Sequence, residues 1–241
     1  MLVINMINKV SSGSKVIDEL LNGGFERGVI STIFGPAGTG KSNIAMLIAL
    51  KVANQGKKVI FIDTEGGFSA ERASQLAPDK YKALLKNIIL FEPTSFDEQK
   101  KVFEKLNDVV NKEKVGLIVI DSIVMLYRLQ RGSDEEVSVT NKELANQLAI
   151  LSSIARKKSI AVLTTNQVYA DFEKPNNFHM VGGDLLKYWS KCIVKLESIE
   201  RVRKASIFKH RSLPEKRKVF FEIIGNGLKE VKYPKKKFSL F

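Results

Sequence analysis

Apolar residues recur along this chain in two rhythms, and the switch between them lays out the architecture. Val29 to Phe34, Lys58 to Asp63, Ile88 to Glu92, Leu117 to Asp121 and Ile160 to Thr165 are short, nearly continuous apolar runs. Such runs are expected of parallel strands covered on both faces. Between them the period lengthens. Lys41 to Asn54 sets Ile44, Leu47, Ile48 and Val52 on one helical stripe and stops at Gly56. Phe96, Val102, Phe103, Leu106 and Val110 mark a second helix. Leu144, Leu148, Leu151 and Ala155 mark a third, closing on Arg156, Lys157 and Lys158, where cations complement the negative end of the helix dipole. A shorter helix from Ser14 to Leu21 is stopped by Asn22, Gly23 and Gly24.

After the fifth run the alternation ends. CIVKLES, KASIFKH and KVFFEII read as strands of a meander, with RSLPEKR between the last two and a turn at Gly225, Asn226 and Gly227. The expected fold is α/β: a mainly parallel central sheet with helices on both faces and an antiparallel C-terminal extension. Two stretches, Arg128 to Glu143 and Val168 to Gly183, are polar and unpatterned. Loops of that length are uncommon in a compact domain unless they work.

Composition adds location and partners. The 241 residues, 44% hydrophobic, suit one core over 1–231, followed by a basic tail at 232–241, KYPKKKFSLF. One cysteine, Cys192, excludes an internal disulfide framework and reads as a small buried apolar residue. The start MLVINMINKV lacks the basic region of a secretory signal, and no apolar run is long enough to cross a membrane. A cytoplasmic protein is expected. The net charge is +13, and it is concentrated: nine lysines and four arginines against Glu215, Glu222 and Glu230 put +10 of it in the last 41 residues. That asymmetry favours a polyanion partner, nucleic acid first.

The chemistry starts at GPAGTGKS, which fits G-x-x-x-x-G-K-[ST] between an expected strand and an expected helix. Gly35, Pro36, Ala37, Gly38, Thr39 and Gly40 let main-chain N–H groups curl around phosphates at a helix N-terminus. Lys41 adds a point charge for the β and γ phosphates, Ser42 a hydroxyl for Mg²⁺, and Asn43 follows in the first turn. Asp121, ending a buried strand, supplies the carboxylate that such a metal site needs. ATP and Mg²⁺ are therefore the expected ligands. In FIDTEGGFSAER, Asp63 and Glu65 stand at another strand end. If the strands ending at Phe34, Asp63 and Asp121 lie side by side, Glu65 reaches the γ phosphate and polarises water.

FIDTEGGFSAER, LIVIDSIVMLYR, TTNQV and the pair Gly182 and Gly183 resemble, in order and spacing, the RecA-fold recombinases of archaea and eukaryotes. The resemblance runs from Ser11 to about Val231 and implies a RecA-like P-loop ATPase core. It implies that Glu65 activates the attacking water, that Arg72 stacks on adenine, and that Gln167 senses the γ phosphate. The two polar stretches match the family's DNA loops, over Arg128 to about Asn141 and Val168 to Gly183. Arg128 and Arg131 in the first would meet phosphates, with Asp134, Glu135 and Glu136 opposing them. Lys174 is the main cation of the second, with Tyr169, Phe172, Phe178 and His179 as stacking surfaces. His179 and His210 are too few for a metal cluster.

Lys209 and Arg211 occupy the place where related ATPases present cations to a neighbouring subunit's nucleotide; they read equally as contacts to DNA or solvent. Lys235, Lys236 and Lys237 give an independent route to DNA, and Phe238 to Phe241 is either a docking motif or a frayed end. The chain begins about fifteen residues before the core, without the recombinases' N-terminal helical domain. The expectation is an accessory protein of recombinational repair: DNA-binding, single-stranded or branched DNA favoured, weakly hydrolytic, without strand exchange of its own, a possible homo-oligomer working with a recombinase or a DNA-processing enzyme. A KaiC-like signalling ATPase and an adaptor that holds ATP without hydrolysing it are the alternatives.

Overall fold

The computed structural model describes residues 9–130, 134–170 and 178–232. Thirteen strands and seven helices follow in chain order: β1 (Lys9–Val10), α1 (Lys15–Leu20), β2 (Phe25–Glu26), β3 (Ile30–Phe34), α2 (Lys41–Ala53), β4 (Lys58–Asp63), α3 (Ala70–Leu76), α4 (Tyr81–Leu85), β5 (Ile88–Phe91), α5 (Phe96–Lys112), β6 (Val115–Asp121), α6 (Asp134–Lys158), β7 (Ala161–Asn166), β8 (Val168–Ala170), β9 (Phe178–Met180), α7 (Gly183–Trp189), β10 (Ser190–Ile199), β11 (Val202–His210), β12 (Lys218–Ile224) and β13 (Gly227–Glu230).

Nine of the strands form one sheet in the order β13-β12-β11-β10-β3-β7-β6-β4-β5. From β10 to β5 every neighbour is parallel, and from β10 to β13 every neighbour is antiparallel, as the change of rhythm in the sequence requires. Alternate residues of each parallel strand enter opposite cores. Phe61, Val119 and Leu163 pack beneath α1 to α4, while Ile62, Ile120 and Val162 pack beneath α5 to α7. Helix α2 is buried on nearly every side, from Ile44 through Ala53, so its apolar stripe is wider than the four residues that announce it.

Three expectations change. The stretch Arg128 to Glu143 is not one loop: a 3-10 turn spans Tyr127–Leu129 and α6 starts at Asp134. Residues 137–143 of that helix carry no buried stripe. Val137 and Val139 are 40% and 65% exposed, and the core begins only at Leu144. Val168 to Gly183 is likewise not wholly irregular, because β8 and β9 pair across it, Val168 with Met180. Finally, the strands ending at Phe34 and Asp121 are not neighbours, since β7 lies between β3 and β6. Sheet order is set by crossovers that leave no trace in local periodicity.

Candidate nucleotide site

The phosphate loop joins β3 to α2 across the C-terminal edge of the sheet. Two glycines there are dictated by their surroundings. A Cβ on Gly35 would lie 2.4 Å from Leu196 O, and Gly40, the N-cap of α2 at φ 101°, would bring one within 2.9 Å of Ile223 Cδ1. No side chain caps α2, so its first N–H groups face the loop that precedes them. Thr39 Oγ1 closes that loop by donating to Pro36 O at 2.8 Å. Lys41 is buried, and its Nζ donates to Gly35 O and Pro36 O, both at 2.9 Å. Burial pushes its pKa below the ordinary value, while the charges of Glu65 and Asp121 pull it back up.

Because β7 intervenes, it contributes its own end to the site. Thr165 donates to Asp121 Oδ1, and Ser42 also hydrogen-bonds this carboxylate. Burial raises the Asp121 pKa, the two hydroxyls lower it, and Glu65 and Asp63 raise it further. The peptide after Asp121 is cis. Among the described residues no three His, Cys, Asp or Glu side chains gather as a metal site. A cation at Ser42 and Asp121 would therefore complete its shell with phosphate and water oxygens, which is how Mg²⁺ is commonly held. The hard-oxygen pair already in contact fits that ion.

The two acids of FIDTEGG have different surroundings. Asp63 is buried, pairs in register with Asp121, and accepts the N–H groups of Glu65 (3.1 Å) and Phe68 (2.7 Å). It shapes the turn. Glu65 is exposed, and its Oε2 accepts from Gln167 Nε2 at 2.7 Å. Thr64 ties the two strand ends together, donating to Ser122 O at 2.7 Å and accepting from Ser122 N at 3.0 Å. Neither Thr64 nor Thr165 stands out in the sequence beyond being a hydroxyl at a strand end.

Arg72, at the start of α3, is held by its fork. Nε donates to Asn43 Oδ1 (2.7 Å), Nη1 to Gln75 Oε1 (2.7 Å) and Gly225 O (2.8 Å), and Nη2 to Ile224 O (3.1 Å). Two predicted residues, Asn43 and Arg72, thus meet beside the β12–β13 turn. Arg128 is exposed in its 3-10 turn. Arg131, Lys174, Lys235, Lys236 and Lys237 lie outside the described residues, as do Phe172 and Phe238 to Phe241.

Lys209 and Arg211 stand elsewhere. His210 pairs with Cys192, which pairs with Ser31 near the start of β3, whereas the phosphate loop leaves β3 at Phe34, level with Lys195 and Ser206. The register puts this pair at the opposite end of the sheet from its own chain's phosphate loop. Lys209 Nζ donates to Lys187 O, and Arg211 Nε lies 2.7 Å from Glu26 Oε2.

The fold and this strand-edge site are those of a RecA-like P-loop protein, and the chain belongs to the Rad51 family, whose model matches residues 4–231. Within it the chain is similar to the DNA repair and recombination protein RadB of Methanobrevibacter smithii, 44% identical over 218 residues that cover 88% of this chain and 92% of that one. The RadB of Methanococcoides burtonii is 43% identical over 219 residues, covering 90% and 96%. A solved RadB recombinase structure superposes with a TM-score of 0.78 at 35% identity, over 92% of this chain and 100% of that one. Among the described residues no helix is long and apolar enough to cross a membrane.

Proposed function

We propose that this chain is a DNA-binding, weakly hydrolytic ATPase that assists recombinational repair and does not itself carry out strand exchange. The observation that carries the reading is the meeting of Glu65 and Gln167, just past the ends of two strands, beside Lys41, Ser42 and Asp121. The α2 N-terminus and Lys41 bind the β and γ phosphates, and the Arg72 guanidinium, its in-plane donors engaged, offers a face to adenine. Mg²⁺, held by Ser42 and Asp121, would neutralise developing phosphate charge. Glu65 orients and polarises the attacking water. Gln167 links that acid to β8, which opens the second DNA loop.

Slow turnover follows from the position of Lys209 and Arg211. An arginine finger supplies about 10³ to 10⁵ in rate, and these cations are remote from their own chain's phosphates. Similarity to RadB proteins, named for DNA repair and recombination, supports the cellular role. The concentrated basic charge of the last 41 residues supports DNA as the partner. The test is binding to single-stranded, duplex and branched DNA with and without ATP, at two salt concentrations, alongside ATP turnover. ATP-dependent, salt-sensitive binding is expected. Failure to bind all three DNAs would sink the reading.

A further inference from the structure

The turn after β11 holds a titratable group that the nucleotide site does not use. His210, half-buried, accepts at Nδ1 from the main-chain N–H groups of Ser212 and Leu213, each at 3.1 Å. Two main-chain N–H donors on one ring nitrogen, with the Ser212 hydroxyl 3.3 Å from the same atom, favour a lone pair there and hence the neutral ring with its proton on Nε2. The residue inside that turn, Arg211, is held from the other side by Glu26. The carboxylate is 1% exposed and the arginine 47%. Their 2.7 Å contact is an ion pair without the alignment of a hydrogen bond, and Glu26 Oε1 has no hydrogen-bond partner among the described residues. A carboxylate shut off from water holds Nε, and the arginine side chain stays about half exposed, open to an incoming anion.

We propose that His210 is a positioning residue: its neutral imidazole closes the turn that presents Arg211 to phosphate oxygens, and acidification releases that contact. This rests on the reading of Arg211 as an anion contact, the phosphate belonging either to nucleic acid or to a neighbouring chain's nucleotide. Protonated at Nδ1, the ring would lose both main-chain contacts and keep only the Ser212 hydroxyl, 3.3 Å away, as an acceptor, and the turn would loosen. The groups facing it are Glu26 on β2, Lys9 on β1, Cys192 on β10 and Arg211 in its own turn. Burial lowers the His210 pKa, Lys9 and Arg211 lower it further, and Glu26 raises it. Cys192, pushed up to about 12 by burial, stays a neutral thiol. A histidine with a depressed folded pKa keeps its structure above that value and loses it as pH falls through it. General electrostatics predict the opposite sign, since acidification adds positive charge and tightens anion binding.

The test uses the full chain, a fluorescent oligothymidine titrated by anisotropy at pH about 7.5 and about 5.5, and ATP turnover measured against protein concentration. Wild type should bind about fivefold more weakly at the lower pH, the equivalent of one hydrogen bond. H210N, whose Oδ1 replaces Nδ1, should bind like wild type at the higher pH and hold that affinity at the lower. H210A should fall to the level of R211A at both, with a melting temperature near wild type. A response in the oligothymidine assigns the phosphate to nucleic acid, and one confined to concentration-dependent turnover assigns it to a neighbour's nucleotide. Wild-type binding that tightens on acidification, or H210A that matches wild type, overturns the inference and leaves Arg211 as an anion contact. If R211A changes neither arm, the anion reading itself fails and takes this inference with it.

Discussion

Gln167 Nε2 donates to Glu65 Oε2 at 2.7 Å, joining the first residue after β7 to the turn after β4 across 102 residues of sequence. The acid and its expected sensor are thus in direct contact. Replacing Glu65 by Gln keeps the shape and removes the base, so ATP turnover should fall by about 10² to 10⁴, the usual worth of a general base. Nucleotide affinity should hold. Single-turnover hydrolysis beside equilibrium ATP binding separates the two, and equal rates for wild type and E65Q would dismiss Glu65 as the base. Gln167→Ala should leave ATP bound but uncouple it from DNA affinity.

Burial of Asp121 sets a stability cost on its charge. Its folded pKa is raised, chiefly by burial, so the folded state binds more protons than the unfolded one as pH climbs above the ordinary carboxylate value. Its ionised form therefore costs stability at neutral pH, and that cost fades on acidification into the carboxylate range. D121N should melt at a higher temperature than wild type at neutral pH, by a few degrees, and should lose the extra stabilisation that Mg²⁺ with ATP confers on wild type. Melting curves with and without Mg²⁺ check both halves.

The fork of Arg72 cannot be replaced by an ammonium. R72K keeps the charge but not the simultaneous contacts to Asn43, Ile224 O and Gly225 O. KM for ATP should rise roughly tenfold, from about 1 to 2 kcal/mol of forfeited stacking and orientation, with kcat changed less. An equal loss in kcat at unchanged KM would move Arg72 out of the base pocket.

Salt separates the tail from the loops. Neutralising Lys235, Lys236 and Lys237 should flatten the slope of log affinity against log salt on single-stranded DNA by about 2, at about 0.7 for each phosphate that a lysine no longer neutralises. An unchanged slope moves the phosphates from the tail to Arg128, Arg131 and Lys174 or to Lys209 and Arg211.

Much of this is legible in the sequence because the phosphate loop is a local object. GPAGTGKS carries its own geometry, and a buried strand ending in Asp121 is visible as an apolar run with an acid at its tip. Adjacency is not legible in the same way. Periodicity counts strands without ordering them, so the insertion of β7, and with it the Thr165 hydroxyl on Asp121, comes only with the fold. The start of α6 escapes for a different reason: a helix whose residues 137–143 bury nothing has no stripe to show before Leu144. Lys209 and Arg211 are visible as cations after a core strand, but which end of the sheet that strand leaves them on depends on β11 running antiparallel to β10.

Strand order also decides when the site can exist. The phosphate-loop strand β3 is flanked by β7 and β10, so Thr32 meets Thr164 and Ser190, 132 and 158 residues away. Closing such distant pairs is slow and comes late in folding. A nascent chain therefore has the sequence of its phosphate loop long before the strands around that loop have paired, and a nucleotide bound there should stabilise the whole parallel core rather than the loop alone.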